Sequence, residues 1–111
     1  YKNINWVIDI EGSKYLWTSF QREINKRIFD ATNSEDKMLG GYFVNPADGV
    51  ITEKILLNKI LFYLWNDVCK DGEGDIFKTA DNEEITFSDL HGDGGTDKLI
   101  AMMTYLKVEE A

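Results

Sequence analysis

The stretch that decides the fold runs from Thr52 to Lys70 and reads TEKILLNKILFYLWNDVCK. Thr52 stands at its start as a helix N-cap. Its apolar side chains cover most of the helix circumference, and the clearest polar stripe is formed by Lys59, Asn66 and Lys70. A helix that is apolar nearly all round is buried on several sides. We therefore expect this segment to be the central helix of a small bundle.

A second amphipathic segment precedes it. Its apolar residues fill one stripe at helical spacing, which predicts a helix with one buried face. Ser13 is the expected N-cap, and the helix is expected to end near Asn33-Ser34. The stripe consists of Leu16, Trp17, Phe20, Ile24 and Ile28.

The remaining segments are shorter or less regular. Residues 4–10 alternate well enough for a short strand or an extended lead-in. Residues 34–51 contain Asn-Pro and Asp-Gly turn signals and are expected to be irregular. Thr96 is the expected cap of a last helix, whose apolar stripe is Leu99, Met102, Met103 and Leu106. These elements predict a mainly α fold, a small helical bundle with at most one short strand pair.

Composition narrows the classes of protein to which the chain can belong. Its 111 residues suffice for one domain, and its formal net charge is -8. Residues 71–111 hold 11 acidic and 3 basic side chains, so the excess negative charge there repels phosphate backbones and disfavours nucleic-acid binding. One cysteine and one histidine exclude a disulfide framework and a Cys/His zinc site. The longest apolar run, Ile60 to Trp65, is too short for a membrane span.

The familiar catalytic and ligand-binding motifs are missing. The chain lacks a phosphate-cradling Gly-x-x-x-x-Gly-Lys-[Ser/Thr] loop. Asp89 to Gly94 begins like a calcium loop, but Ile100 stands where a bidentate Glu is needed, which argues against calcium. Cys69 ends an apolar helix and is predicted to be a small core residue rather than a nucleophile.

The unusual segment is Glu35 to Phe43, which joins a charged triplet, two glycines and two aromatic residues between helices. One interpretation is a helix C-cap followed by aromatic side chains packed into the core. The other is a loop whose backbone comes close to another surface or a ligand, as a glycine pair permits. Both interpretations are open from the residues alone.

The order of this segment and several other segments along the chain resembles the C-terminal end of McrB-type AAA+ proteins. These are the NTP-hydrolysing subunits of modification-dependent restriction systems. The resemblance spans roughly residues 15–90, and its fairly specific parts are Asp-Lys-x-Leu-Gly-x-Tyr-Phe and Phe-Tyr-Leu-Trp-Asn-Asp-Val. It is carried by Trp17-x-x-Phe20, Ile24 to Ile28, Glu35 to Phe43, Lys59 to Val68, Ile76-Phe77 and Ile85 to Phe87.

The resemblance implies a small helical lid that follows an upstream NTPase domain. Residues 1–12 would be an extended lead-in from that missing core, and residues 13–111 the lid-like domain. The piece alone would hold no catalytic residue and no cofactor, whereas the parent would use GTP or ATP with Mg. The implied partners are the upstream domain, neighbouring ring subunits and a nuclease subunit, in the cytoplasm, without direct contact to nucleic acid or membrane.

The same resemblance implies which residues face the nucleotide. The expected cofactor-binding residues are Lys37, Gly40, Gly41, Tyr42 and Phe43, with Tyr42 or Phe43 partly exposed and Gly41 at a positive φ. Lys37, Lys54 and Lys59 are the basic side chains best placed to reach a phosphate. The alternative function is a stand-alone acidic helical module that binds other proteins through its acidic C-terminal third.

Overall fold

The alternating segment at the start of the chain forms the central strand of a sheet. The computed structural model describes residues 5–33, 35–40, 43–69 and 75–111. Strand β1 (Val7–Ile10) pairs antiparallel with β2 (Ser13–Leu16). The two-residue turn between them has φ of 49° at Glu11 and 94° at Gly12. Positive φ at both positions is what a type I′ hairpin turn requires.

A third strand completes the sheet. Strand β3 (Val50–Thr52) lies parallel to β1, which gives the strand order β2-β1-β3. One face of the sheet is buried, and its side chains are Ile8, Ile10, Tyr15 and Ile51. The prediction of a mainly α bundle with at most one strand pair is therefore wrong, because the chain folds as a small α/β domain. β3 begins at the end of the stretch expected to be irregular, residues 34–51, and it pairs with residues more than 40 positions away.

The first helix follows β2 directly. Helix α1 (Trp17–Thr32) has Leu16 at its N-cap position without a side-chain cap bond, and it ends at Asn33 in the left-handed conformation. The expected cap Ser13 instead begins β2. The predicted stripe is buried at Trp17, Phe20, Ile24 and Ile28, whereas Leu16 is only half-buried.

The second helix begins immediately after β3. Helix α2 (residues 53–68) is capped as predicted, since the Thr52 hydroxyl accepts a hydrogen bond from the Ile55 amide at 3.3 Å. It opens with an α-helical turn and continues as π-helix over Leu56–Leu61 and Leu64–Val68. Trp65, expected in the core, is half-buried and packs edge-on against Phe77 with ring centroids 5.1 Å apart.

The C-terminal part forms a short 3-10 turn (Ser88–Leu90) and helix α3 (Gly95–Leu106). Its predicted stripe is buried, but Gly94 rather than Thr96 occupies the N-cap position, with φ of 76°. A Cβ on Gly95 would collide with the Leu90 carbonyl, so this close approach requires glycine. The Thr96 hydroxyl instead donates to Glu53 on α2 at 3.0 Å.

The last residues return to the sheet and cover the outer edge of β2. The Leu16 amide donates to the Glu109 carbonyl at 2.9 Å, and the Ala111 amide donates to the Lys14 carbonyl at 3.0 Å. The buried hydroxyl of Ser19 accepts from the Glu109 amide at 2.9 Å. Within the described residues, every helix is too short or too polar to cross a membrane.

Two phenylalanines on α1 allow a direct test of the core. Phe20 is fully buried, whereas Phe29 is 42% exposed. We expect Phe20→Ala to lower the free energy of unfolding by about 3–5 kcal/mol, because it removes contacts and leaves a cavity. The matched change Phe29→Ala should cost less than about 1 kcal/mol. Urea unfolding of both variants measures the difference, and equal losses would contradict this assignment of the core.

Candidate functional site

The segment from Glu35 to Phe43 is held against α1 through the backbone of Leu39. The Leu39 amide donates to Asn25 Oδ1 at 2.6 Å, and its carbonyl accepts from Asn25 Nδ2 at 3.0 Å. Gln21 Nε2 donates to the same carbonyl at 3.0 Å. The Leu39 side chain is buried in the core. One asparagine thus satisfies both backbone groups of a buried loop residue, which fixes the position of the loop.

A second attachment joins the loop to α2. The Tyr63 hydroxyl donates to the Lys37 carbonyl at 2.8 Å, and the Tyr63 ring lies 5.1 Å from that of Phe43. The Lys59 ammonium lies 5.6 Å from the centre of the Phe43 ring, within reach of a cation–π interaction. Burial, followed by the nearby carboxylate of Asp67, raises the pKa of Tyr63, which keeps its hydroxyl protonated as a donor.

These contacts assemble a lysine–aromatic patch, defined by Lys37, Phe43, Lys59 and Tyr63. Lys37 is exposed, and its ammonium is 3.4 Å from the Asp67 carbonyl. Phe43 and Tyr63 are half-buried, so each ring keeps an accessible part. The patch therefore presents two cations beside two aromatic rings. Lys37 and Phe43 lie on the loop, and Lys59 and Tyr63 lie on α2.

Most of the predicted site residues that the structure describes lie in or next to this patch. Lys37 and Phe43 belong to it, and the half-burial of Phe43 agrees with the expected partial exposure. Lys59 also reaches the patch, whereas Lys54 lies in the first turn of α2 and is exposed there. Gly41 and Tyr42 lie outside the described residues.

Gly40 lies next to the patch without a structural need for glycine. A Cβ built on it meets no atom within 4 Å, and its φ is not positive. Its carbonyl accepts a hydrogen bond from the Phe43 amide at 3.3 Å. The fold of the chain itself therefore leaves open space at Gly40, where another surface can approach the backbone.

Sequence reasoning missed the residues that hold the loop. Asn25, Gln21 and Tyr63 look like ordinary polar residues on the surfaces of helices. The available signal was the position of Asn25 and Gln21, one helical turn apart on α1 and therefore on the same side of it.

A cleft elsewhere in the described residues has a different chemistry. It has a volume of about 510 Å³ and lies between the hairpin turn, the start of α2 and the start of α3. Four carboxylates line it, those of Glu11, Glu53, Asp93 and Asp97, and lysine and arginine are missing from its walls. Such a lining repels phosphate. Within the described residues, no cluster of three or more His, Cys, Asp or Glu could hold a metal ion.

Searches of protein-family models, of curated proteins and of solved structures each found no match to this chain. The functional interpretation of the lysine–aromatic patch therefore depends on the geometry of the patch alone. The patch combines two lysines with two aromatic rings, and the carboxylate of Asp67 lies close enough to Tyr63 to raise its pKa.

The attachment through Asn25 can be tested by removing it. In Asn25→Ala the Leu39 amide loses its acceptor, and we expect a loss of about 1–3 kcal/mol in the free energy of unfolding. Hydrogen exchange at the Leu39 amide should be at least about tenfold faster. The control is Asn66→Ala, since Asn66 bonds the Phe62 carbonyl of its own helix at 2.9 Å. Unchanged exchange at Leu39 in Asn25→Ala would contradict the attachment.

The buried thiol of Cys69 predicts a specific pH dependence. Burial raises its pKa from 9.0 to about 11. The unfolded chain therefore loses this proton first as the pH rises, and stability contributed by the thiol is lost between about pH 9 and about pH 11. At pH 10 we expect a loss of about 1 kcal/mol relative to pH 8 that Cys69→Ala does not show. Parallel urea titrations measure it, and identical pH slopes for the two proteins would contradict the burial of the thiol.

Proposed function

We propose that this chain is a non-catalytic part of a McrB-like GTPase or ATPase that couples nucleotide state to ring assembly in a DNA restriction system. Its lysine–aromatic patch faces the nucleotide-binding domain of the parent protein. The observation that carries the proposal is the double attachment of the loop, to α1 through Asn25 and to α2 through Tyr63. This loop contains one of the two fairly specific parts of the resemblance.

The chemistry of the patch suits a surface beside a bound nucleotide. A lysine ammonium attracts phosphate oxygens as a compact cation, and an aromatic ring stacks on a base. Lys37 and Lys59 supply the cations, and Phe43 supplies a ring with an accessible part. The nucleotide and its magnesium would be held mainly by the upstream domain, whereas this chain would add contacts from one side.

The two attachments also provide the mechanical link that such a role needs. A change at the loop is transmitted to α1 and α2 together, because a hydrogen bond to each helix fixes the loop backbone. The two helices can then move as one rigid body relative to the nucleotide domain, which is a common form of switching. The nuclease partner and the neighbouring ring subunits would respond to that movement in the cytoplasm.

Lys37 gives the sharpest test of this function. The chain alone should show no GTP or ATP turnover. In the longer reading frame, Lys37→Ala should lower kcat/KM for the nucleotide by about 10–100-fold, because a charge-assisted contact is lost. Lys107→Ala is the control, since Lys107 is an equally exposed lysine at the end of α3. Steady-state turnover of both variants and the melting temperature of the chain are measured together, and equal activity of the two variants would contradict the role of the patch.

The alternative function is a protein-interaction module independent of nucleotide. It is favoured by the exposed ring of Phe62, which is 52% accessible on α2. The reading frame upstream of Tyr1 separates the two functions. A phosphate-cradling Gly-x-x-x-x-Gly-Lys-[Ser/Thr] loop within about 150–250 residues, the length of a large domain, supports the nucleotide function, whereas its absence supports the module.

A further inference from the structure

Residues 107–111 lie along the outer edge of β2, and we name this segment the edge strap. Its backbone pairs with β2 through the two hydrogen bonds that join Leu16 to Glu109 and Ala111 to Lys14. Between these bonds, Tyr15 and Glu110 face each other in antiparallel pairing. The edge strap therefore occupies β2 in the way that an added strand does, and it shows what kind of segment this edge accepts.

Two further contacts make this edge selective. Val108 is 8% exposed and belongs to the core, and we call the space that its side chain fills the Val108 slot. Because side chains alternate along an extended segment, Val108 lies on the same side as Glu110 and hence as Tyr15, which is buried. The Ser19 hydroxyl is buried and accepts from the Glu109 amide. The edge thus combines an apolar slot, a buried acceptor and backbone groups of β2.

The edge strap is held by few contacts. It begins at Lys107 with φ of 61°, a left-handed conformation that favours glycine or asparagine at a helix end. Glu109, Glu110 and Ala111 are exposed, and none of the ion pairs among the described residues involves them. One apolar side chain and three hydrogen bonds must therefore offset the entropy that is lost in ordering the segment. We expect the strap to detach in an opening that leaves the core folded.

We propose that the edge strap is a displaceable strand, and that the β2 edge beneath it binds an extended segment of a partner protein. While the strap is attached, it shields this edge. The partner segment adds antiparallel to β2, places an aliphatic side chain in the Val108 slot and donates amides at the positions of Glu109 and Ala111. Proline is excluded at these two positions, because it has no amide hydrogen. The inference does not depend on the proposed nucleotide function.

The expected partner is a different protein rather than a second copy of this chain. Exchange of straps between copies forms only the bonds that each copy already has, and it loses the entropy of joining two molecules. The strap of the same molecule also competes at an effective concentration on the order of 1 mM. A partner segment can gain on it by pairing further along β2, which begins at Ser13, whereas the strap bonds reach Lys14.

Hydrogen exchange of the natural chain tests whether the edge strap opens. The Leu16 amide donates to the strap and reports its opening, whereas the Ile24 amide lies in the middle of α1, where Ile24 is fully buried. We expect the Leu16 amide to exchange at least about 100-fold faster than the Ile24 amide. Equal exchange rates would overturn the proposal, because the strap would then open only when the whole domain unfolds.

Binding is tested with a synthetic peptide that has the strap sequence KVEEA. In Val108→Asp the strap detaches, because it cannot bury a carboxylate in the Val108 slot. The peptide should therefore bind this variant at least about tenfold more tightly than the natural chain, in which the strap competes. The control Ala111→Asp adds the same charge at an exposed position and should bind the peptide as weakly as the natural chain. Shifts of the Leu16 and Ser19 amide signals in a titration measure the affinities, and equal affinities would overturn the proposal.

Peptides that contain proline test the strand-addition geometry, with the Val108→Asp chain as the receptor. The peptide with Glu109→Pro lacks the amide that donates to Ser19 and should bind at least about tenfold more weakly. The matched control is the peptide with Glu110→Pro, because the bonds to β2 and to Ser19 come from the backbone of Glu109 and Ala111. It should bind nearly as well as the original peptide. An equal loss for both peptides would overturn the proposal.

Two further measurements complete the test. Circular dichroism establishes that Val108→Asp is folded, and the exchange experiment on the natural chain needs no variant. Sedimentation velocity identifies the kind of partner, since the natural chain should remain monomeric at about 0.1 mM. Dimers that disappear in Val108→Asp would show that straps exchange between copies, and this result would overturn the assignment to a different protein.

Discussion

The parallel pairing of β1 with β3 is the constraint on which the rest of the structure depends. It joins Val7–Ile10 to Val50–Thr52 and so closes a loop of about 40 residues that contains α1 and the patch residues Lys37 and Phe43. Because α2 begins directly at the end of β3, the same pairing also sets where α2 starts. The β1–β3 pairing thereby sets the distance between Asn25 on α1 and Tyr63 on α2. The loop that contains Lys37 and Leu39 must bridge this distance.

The helices and β1 were predictable from the sequence, whereas β2 and β3 were not. A period of 3.6 residues is a local signal, so the buried stripes of α1 and α3 and the capping of α2 by Thr52 emerged without knowledge of the fold. β3 is only three residues long and gains its stability from β1, far away in the sequence. No local pattern reveals such a partner, and a strand this short lacks the alternation that would identify it.

The candidate site was likewise predictable only in part from the sequence. Lys37, Gly40 and Phe43 stood out because their segment joins a charged triplet, two glycines and two aromatic residues between helices, whereas Asn25 and Tyr63 gave no signal. Both side chains form hydrogen bonds with the backbone of the loop. Because every residue carries the same backbone groups, the sequence does not show which of them a side chain will bind. The π-helical geometry of α2 likewise has no signature in the residues, although it determines which of its side chains face outward.

The return of residues 109–111 to β2 has a consequence for how the molecule behaves in a crowded solution. An open strand edge offers unpaired amides and carbonyls on which a strand from another molecule can add, and this is how sheets grow into aggregates. Here the backbone of Glu109 and Ala111 already occupies the partners that Lys14 and Leu16 would offer. The Ser19 hydroxyl holds this segment in place. Residues 109–111 thus protect the edge of β2 from the addition of a strand from another molecule.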